Sequence, residues 1–301
     1  MGKKLNQRQR LAILKSLIGN FEQFSPKIKV VAKYISDNPE NFALESMRET
    51  AAKTGVSTFT LTRMADVLGF DSYEDLRQPF RQALSGTTVL REDLSWLHDQ
   101  YDQGTVGKDQ VSFAKTSIGN VVKSLQSNDL EKLERVVAKL FSARTVFVCA
   151  VRASYALAYY FHYVGRMSLP SIQLIPGQIN SPVDDLNNAG PQDVLVAITF
   201  SPYSKETIEA CKFACERGAK LILISDSEIV VPGLHPEEIL VASTKSTHSF
   251  SCFSGAMVVL ENLIALMVKN GGEAALSNIK SYENLRNEFS AYWKLPNSGD
   301  Q

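Results

Sequence analysis

The sequence is short of the features that mark several large classes of protein. Its most apolar stretch, Gly255 to Val268, is shorter than a membrane span and carries Glu261 and Asn262 in its middle. Its start, Met1-Gly-Lys-Lys-Leu-Asn-Gln-Arg-Gln-Arg, is too polar for a secretory signal. The expectation is a cytoplasmic protein with no membrane partner. Cysteine is scarce, with four in 301 residues at Cys149, Cys211, Cys215 and Cys252. None forms a Cys-x-x-Cys pair or stands near a histidine at metal spacing, so they are expected to be reduced core thiols, with no metal and no cofactor. The four histidines, His98, His162, His235 and His248, form neither an acid/base pair nor a metal set by spacing. No catalytic residue is assigned on that basis. An excess of one charge is missing too: Lys+Arg and Asp+Glu are 32 each, which leaves no overall field for a polyanionic partner.

What is present suits about two globular domains. Apolar residues make up 44% and charged residues 21%, enough for a core in each half. The charge is uneven: residues 1–90 hold 13 Lys/Arg against 9 Asp/Glu, a local +4 that suits nucleic acid. A leader helix over residues 5–24 precedes Ser25-Pro26, a cap followed by proline at the first helical position. Ile28, Val31, Ala32 and Ile35 then follow at helical spacing up to Asn38-Pro39.

A helix-turn-helix comes next. Ser46 with Glu49 forms a capping box, and the helix it opens ends at Thr54-Gly55. Val56 plugs the turn, and Ser57 caps a second helix from Thr58 to Leu68 that turns Leu61, Met64, Ala65 and Leu68 inward. Ser57, Thr58, Thr60, Thr62 and Arg63 stand where a recognition helix meets the major groove and are the expected contacts to double-stranded operator DNA. Phe59 among them is expected to pack under the helix rather than to meet a thymine methyl. The amphipathic helix from Tyr73 should kink at Pro79 or end near Gln78.

From Leu130 onward helices and strands alternate. Strands are expected over 145–150, 171–175, 194–199, 220–225 and 239–242, with a final helix over 249–269. Such alternation implies a parallel five-stranded sheet flanked by helices, with the loops after the strands gathered on one edge. Those loops hold Arg152 and Ser154 after the first strand, Thr199, Ser201 and Ser204 after the third, and Ser225, Asp226 and Ser227 after the fourth. A helix starting near Ser204 offers free N–H groups to a small anion such as phosphate, although Ser201 and Ser204 also suit a simple helix cap.

A helix-turn-helix followed by this sheet resembles the RpiR transcriptional regulators, whose DNA-binding domain precedes a sugar isomerase (SIS) domain that senses phosphosugars. Gly55-Val56-Ser57, Thr60, Arg63 and Leu68-Gly69-Phe70 are in register with the family pattern. The usual Ser-x-Ser-Gly-x-Thr-x-Glu stands here as Thr199-Phe200-Ser201-Pro202-Tyr203-Ser204-Lys205-Glu206, with proline for glycine. The usual Gly-x-Gly-x-Ser stands as Ala150-Val151-Arg152-Ala153-Ser154. Arg152 could hold a ligand phosphate or carboxylate, or pair with an acid such as Asp226.

The resemblance implies an α/β SIS domain after an all-α bundle: a DNA-binding domain over 1–85, connecting helices over 86–128, the SIS domain over 129–275 and a tail over 276–301. It implies a homodimer or homotetramer that binds operator DNA and a phosphosugar-like anionic effector, through Arg152, Ser154, Thr199, Ser201, Ser204 and His248. A SIS-type isomerase and a dimerisation module with a decayed pocket are the alternatives.

Overall fold

A computed structural model of the chain describes residues 2–84, 94–178 and 180–293. The chain divides into two compact units. The first comprises Met1–Asn120 with two later segments, Asp226–Leu234 and Thr244–Cys252; the second comprises Val121–Ser225, His235–Ser243 and Phe253–Gln301. This line differs from the expected one in two respects. The two segments that follow the fourth and fifth strands belong with the helices, and the expected tail begins inside a helix.

The first unit is helical: α1 (Gly2–Gly19), α2 (Pro26–Asp37), α3 (Pro39–Leu44), α4 (Met47–Thr54), α5 (Thr58–Val67), α6 (Tyr73–Leu84), α7 (Ser95–Asp102) and most of α8 (Lys108–Ser127). Each start has a local cause. Pro26 opens α2 at its first position, and Ser46 and Glu49 exchange the two bonds of a capping box at α4 (2.7 and 3.3 Å). Gly55 ends α4 with φ of 65°, a left-handed turn that a side chain would strain. The core gathers Leu17, Ile35, Phe42, Leu61, Met64, Leu76 and Phe80, with Phe42 edge-on to Tyr73 and Phe80 at 5.6 and 5.1 Å. The helix α6 runs on through Pro79 to Leu84, so it does not end near Gln78 as one expectation had it. Proline removes one backbone bond there, but Leu76 and Phe80 on either side of it are fully buried, and that packing holds the helix together past the gap.

One carboxylate ties this unit together. Glu45, buried at the end of α3, accepts from Tyr34 of α2 (2.8 and 2.6 Å) and from Thr50 and Lys53 of α4 (3.3 and 2.6 Å). Tyr73 of α6 donates to Thr50 at 2.9 Å, which extends the network to a third helix. Burial works to raise the Glu45 pKa, but the bonds from Lys53 and Tyr34 prevail and hold it below the usual carboxylate range.

The second unit is built on β1 (Val146–Cys149), β2 (Ile172–Ile175), β3 (Val194–Ile198), β4 (Lys220–Ser225) and β5 (Glu238–Val241). They form a five-stranded sheet in the order β2-β1-β3-β4-β5, every pair parallel. All residues of β1 and β3 are buried, as strands covered on both faces must be. Alternate residues Val146, Val148, Val194, Val196, Ile222 and Ile224 share one core with α9 (Leu130–Ser142), α10 (Tyr155–Gly165) and, nearer the C-terminus, the long helix of Ser254–Asn270. A single turn, α11 (Pro182–Asp185), follows β2, and α12 (Lys205–Glu216) packs on β3 and β4. The Ser254–Asn270 helix is α13, and α14 (Gly272–Glu288) occupies the start of the expected tail.

The edge strand β5 is fastened by a side chain. Asn128 donates to Val241 O (2.8 Å) and its amide oxygen accepts from Val241 N (2.9 Å), so the amide serves as a short strand neighbour. The helix α13, expected from residue 249, begins at Ser254, five residues later. Ser249 and Ser251 lie in a hydroxyl-rich stretch whose side chains compete with helical backbone bonding.

Replacing Glu45 with Ala should cost the first unit about 2 to 4 kcal/mol, since three donors lose one acceptor. Urea unfolding followed by circular dichroism checks this; an unchanged midpoint would show that the carboxylate is not the tie.

Candidate functional site

In the second unit the register sets Cys149 of β1 beside Ala197 of β3, so the loops leaving these two strands are neighbours. The first passes through a single 3-10 turn, Arg152–Ser154, into α10. Arg152 adopts φ of 57°, the left-handed geometry that suits glycine, at a strain of roughly 1 to 2 kcal/mol. Its guanidinium Nη2 donates to Glu206 Oε1 at 3.3 Å, so the acid it pairs with is Glu206 and not Asp226. The two side chains are 75% and 51% exposed, and a pair this wet contributes little to stability.

The loop after β3 supplies the hydroxyls. Thr199 is buried and its Oγ1 accepts from Ser204 N at 3.4 Å. Ser204 takes the N-cap position of α12 without making a side-chain cap bond. Its Oγ is buried and has no hydrogen-bond partner within the protein, and the same holds for Thr207 Oγ1 one turn on, in a residue 1% exposed. An unsatisfied buried hydroxyl costs about 1 to 3 kcal/mol. The first turn of α12 thus joins two orphaned hydroxyls to the free N–H groups and positive dipole end of a helix. That arrangement favours an anion with several acceptor oxygens.

Ser204 thus stands at the cap position, but its hydroxyl makes no cap bond. Thr207 escaped the sequence reading although its position, three residues after Ser204, is itself a signal on a helix. Thr199 and Ser204 are bonded to each other and Arg152 reaches Glu206, two positions beyond Ser204, with Ser154 half-buried at the head of α10 and Ser201 exposed on the β3 loop. His248 is not brought to them within this unit. It lies in Thr244–Cys252 of the first unit, exposed, its Nδ1 accepting from Phe250 N at 3.1 Å.

On α5 of the first unit Ser57, Thr58, Thr62 and Arg63 are exposed. Thr60 is not: it is 8% exposed, and its Oγ1 lies 3.0 Å from Ser57 Oγ, which also accepts the Thr60 N–H at 3.3 Å. Its hydroxyl completes the cap and does not face a groove. Phe59 reverses the other way, with 74% of its surface exposed rather than packed under the helix. Successive residues on a helix are about 100° apart, so with Thr60 and Leu61 inward Phe59 points out.

Other features of the described residues carry no site. A surface depression lined by Ser142, Arg144, Pro191, Gln192 and Lys220 sits at the amino ends of β3 and β4, the opposite edge from the hydroxyl loops. Among the described residues no group of three His, Cys, Asp or Glu side chains is placed to hold a metal ion, and no helix is long and apolar enough to cross a membrane. Burial pushes the Cys149 thiol up to about 12, which leaves it unreactive.

A capped helix-turn-helix in one unit and a parallel α/β unit with hydroxyl-bearing strand ends in the other define a two-part architecture. The chain carries a SIS domain: residues 139–265 match that family. It is similar to an HTH-type transcriptional regulator of Clostridium perfringens, 25% identical over 272 residues, which are 86% of this chain and 94% of that one. The fold is shared with the Vibrio vulnificus NanR protein complexed with ManNAc-6P, at a TM-score of 0.55 and 20% identity, covering 93% of this chain and 100% of that one. It is shared also with the sugar isomerase domain of an RpiR transcription factor from Sphaerobacter thermophilus, at a TM-score of 0.56 and 21% identity, over 59% of this chain and 99% of that one.

Replacing Thr207 with Val removes an unpartnered buried hydroxyl at nearly constant shape. Without ligand the variant should be as stable as the parent or more so, by up to about 1 kcal/mol. With a small phosphate-bearing anion its thermal shift should shrink. Melting curves with and without ligand check both, and a clear loss of stability without ligand would show that the hydroxyl has a partner.

Proposed function

We propose that the protein is a DNA-binding transcriptional regulator whose SIS domain binds a phosphosugar or a related small anionic metabolite. It acts in the cytoplasm as a homodimer or homotetramer, without enzymatic activity. The observation that carries this reading is one chain holding both an exposed, capped recognition helix and a helix N-terminus with orphaned hydroxyls. The first suits a polyanionic duplex and the second a small anion. The effector contacts are Arg152, Ser154, Thr199, Ser201, Ser204 and Thr207. The operator contacts are Ser57, Thr58, Thr62 and Arg63, to which Phe59 is added by its exposure. Two copies would read half-sites about 34 Å apart.

The isomerase alternative needs a free base within reach of the sugar. His162, on α10, has its pKa lowered by burial and by Arg166, and its Nδ1 is buried without a partner. That nitrogen bonds to no group of the α12 turn, which favours a sensor.

The operator test starts from duplexes selected from a random library. Arg63→Ala should reduce binding in a gel shift by roughly tenfold or more, as loss of a charged contact to base or phosphate does. It should leave the elution volume on size exclusion unchanged. Thr60→Val, whose hydroxyl faces the cap, should bind within a few-fold of the parent. Full binding by Arg63→Ala would remove that residue from the interface, and failure of the parent to enrich any duplex would end the regulator reading.

A further inference from the structure

We infer that the effector carries two anionic groups, a phosphate on the first turn of α12 and a carboxylate on Arg152: the charge pattern of a phosphorylated sugar acid. The inference rests on the effector site proposed above and adds the chemical class of its ligand.

The phosphate seat needs no arginine. Ser204 Oγ and Thr207 Oγ1 are buried and unpartnered, and they stand at a helix N-terminus whose first N–H groups are free of helical bonds. Arg152 adds a separate positive charge at a measured place. Its backbone holds a left-handed φ of 57°, which directs a long cationic side chain from the β1 loop to the same helical turn. There it meets Glu206, between the two hydroxyl-bearing residues in sequence, at 3.3 Å.

Glu206 shows which group Arg152 accepts. A carboxylate already stands against the guanidinium, and the planar fork matches two carboxylate oxygens. The pair is also replaceable. With the arginine 75% exposed and the glutamate 51% exposed, it is held weakly, and Glu206 can swing into water when another carboxylate takes its place. A ligand carboxylate exchanges like for like. The aldehyde or hydroxyl of an ordinary phosphosugar offers no charge in return and leaves the Arg152–Glu206 pair closed.

The experiment is calorimetric titration of the full chain with matched ligands: glucose 6-phosphate against 6-phosphogluconate, ribose 5-phosphate against 5-phosphoribonate, and fructose 1,6-bisphosphate. The expected result is that in at least one pair the acid binds about 10- to 100-fold more tightly than its aldose, the range of one charge-assisted bidentate contact. Arg152→Gly should bring that ratio within about threefold, because the acid loses its carboxylate contact and weakens by more than the aldose does. Glycine suits φ of 57°, so this variant should melt no lower than the parent. Equal affinity in every pair, tighter binding of the bisphosphate than of either acid, or a preference that survives Arg152→Gly would overturn the inference. Binding of no phosphate ester at all, or binding that Thr207→Val leaves untouched, would instead overturn the effector site on which it rests.

Discussion

Everything on the second unit's carboxyl edge depends on β3 being buried on both faces in the middle of a sheet whose pairs all run parallel. A parallel strand cannot return by a hairpin; each needs a crossover, and the right-handed crossover leaves the loops after the strands on one edge. The register Cys149↔Ala197 and Ile198↔Ile224 then fixes which loops are neighbours. Arg152 from the β1 loop reaches Glu206 beyond β3 because those strands are adjacent, although 54 positions separate the two residues in the chain. The same edge leaves Ser204 and Thr207 with buried hydroxyls and no protein partner. A fold whose stability falls short by such unmade bonds recovers them when a ligand makes them, which is the thermodynamic meaning of a binding site.

The helical unit obeys a different constraint, the 3.6-residue period of a short helix that must both cap itself and bury one face. On α5 the inward set is Thr60, Leu61, Met64 and Ala65. Thr60 is drawn in because Ser57 needs the cap, which leaves Thr58, Phe59, Thr62 and Arg63 as the outward surface. An apolar ring on that surface fits a base edge better than water, since the thymine methyl is the apolar feature of the major groove. Behind the helix, Glu45 fixes the angle between α2, α4 and α6 through side-chain bonds, so the outward surface stands on a rigid support.

Much of this was legible in the residues themselves. The capping box at Ser46, the turn at Gly55, the five strands and the hydroxyl loops follow from local rules, and local rules are what a sequence displays. What escaped depends on tertiary partners. Pro79 suggested a break, but burial of Leu76 and Phe80 outweighs one lost bond. Thr60 looked like its neighbouring threonines until the cap claimed it. The Arg152 partner is Glu206 and not Asp226, a pairing set by strand order and invisible along the chain. The placement of 226–234 and 244–252 with the helical unit has no local signature, because it turns on where Ile229 and its neighbours find a core.

That placement bears on how an effector could alter DNA binding. Ser225 ends β4, and the next residues, Asp226–Leu234, belong to the helical unit. Ile229 enters its core, and Ser227 donates to Asp37 while accepting from Lys33 at 3.0 Å. Burial raises the Asp37 pKa against the pull of Lys33, the mark of a carboxylate held out of water by this packing. The chain leaving the sheet's carboxyl edge is therefore part of the structure that carries α5, not a free linker. A ligand shifts such a system only by its difference in affinity between two arrangements, and about 1 to 3 kcal/mol is the usual size of that coupling.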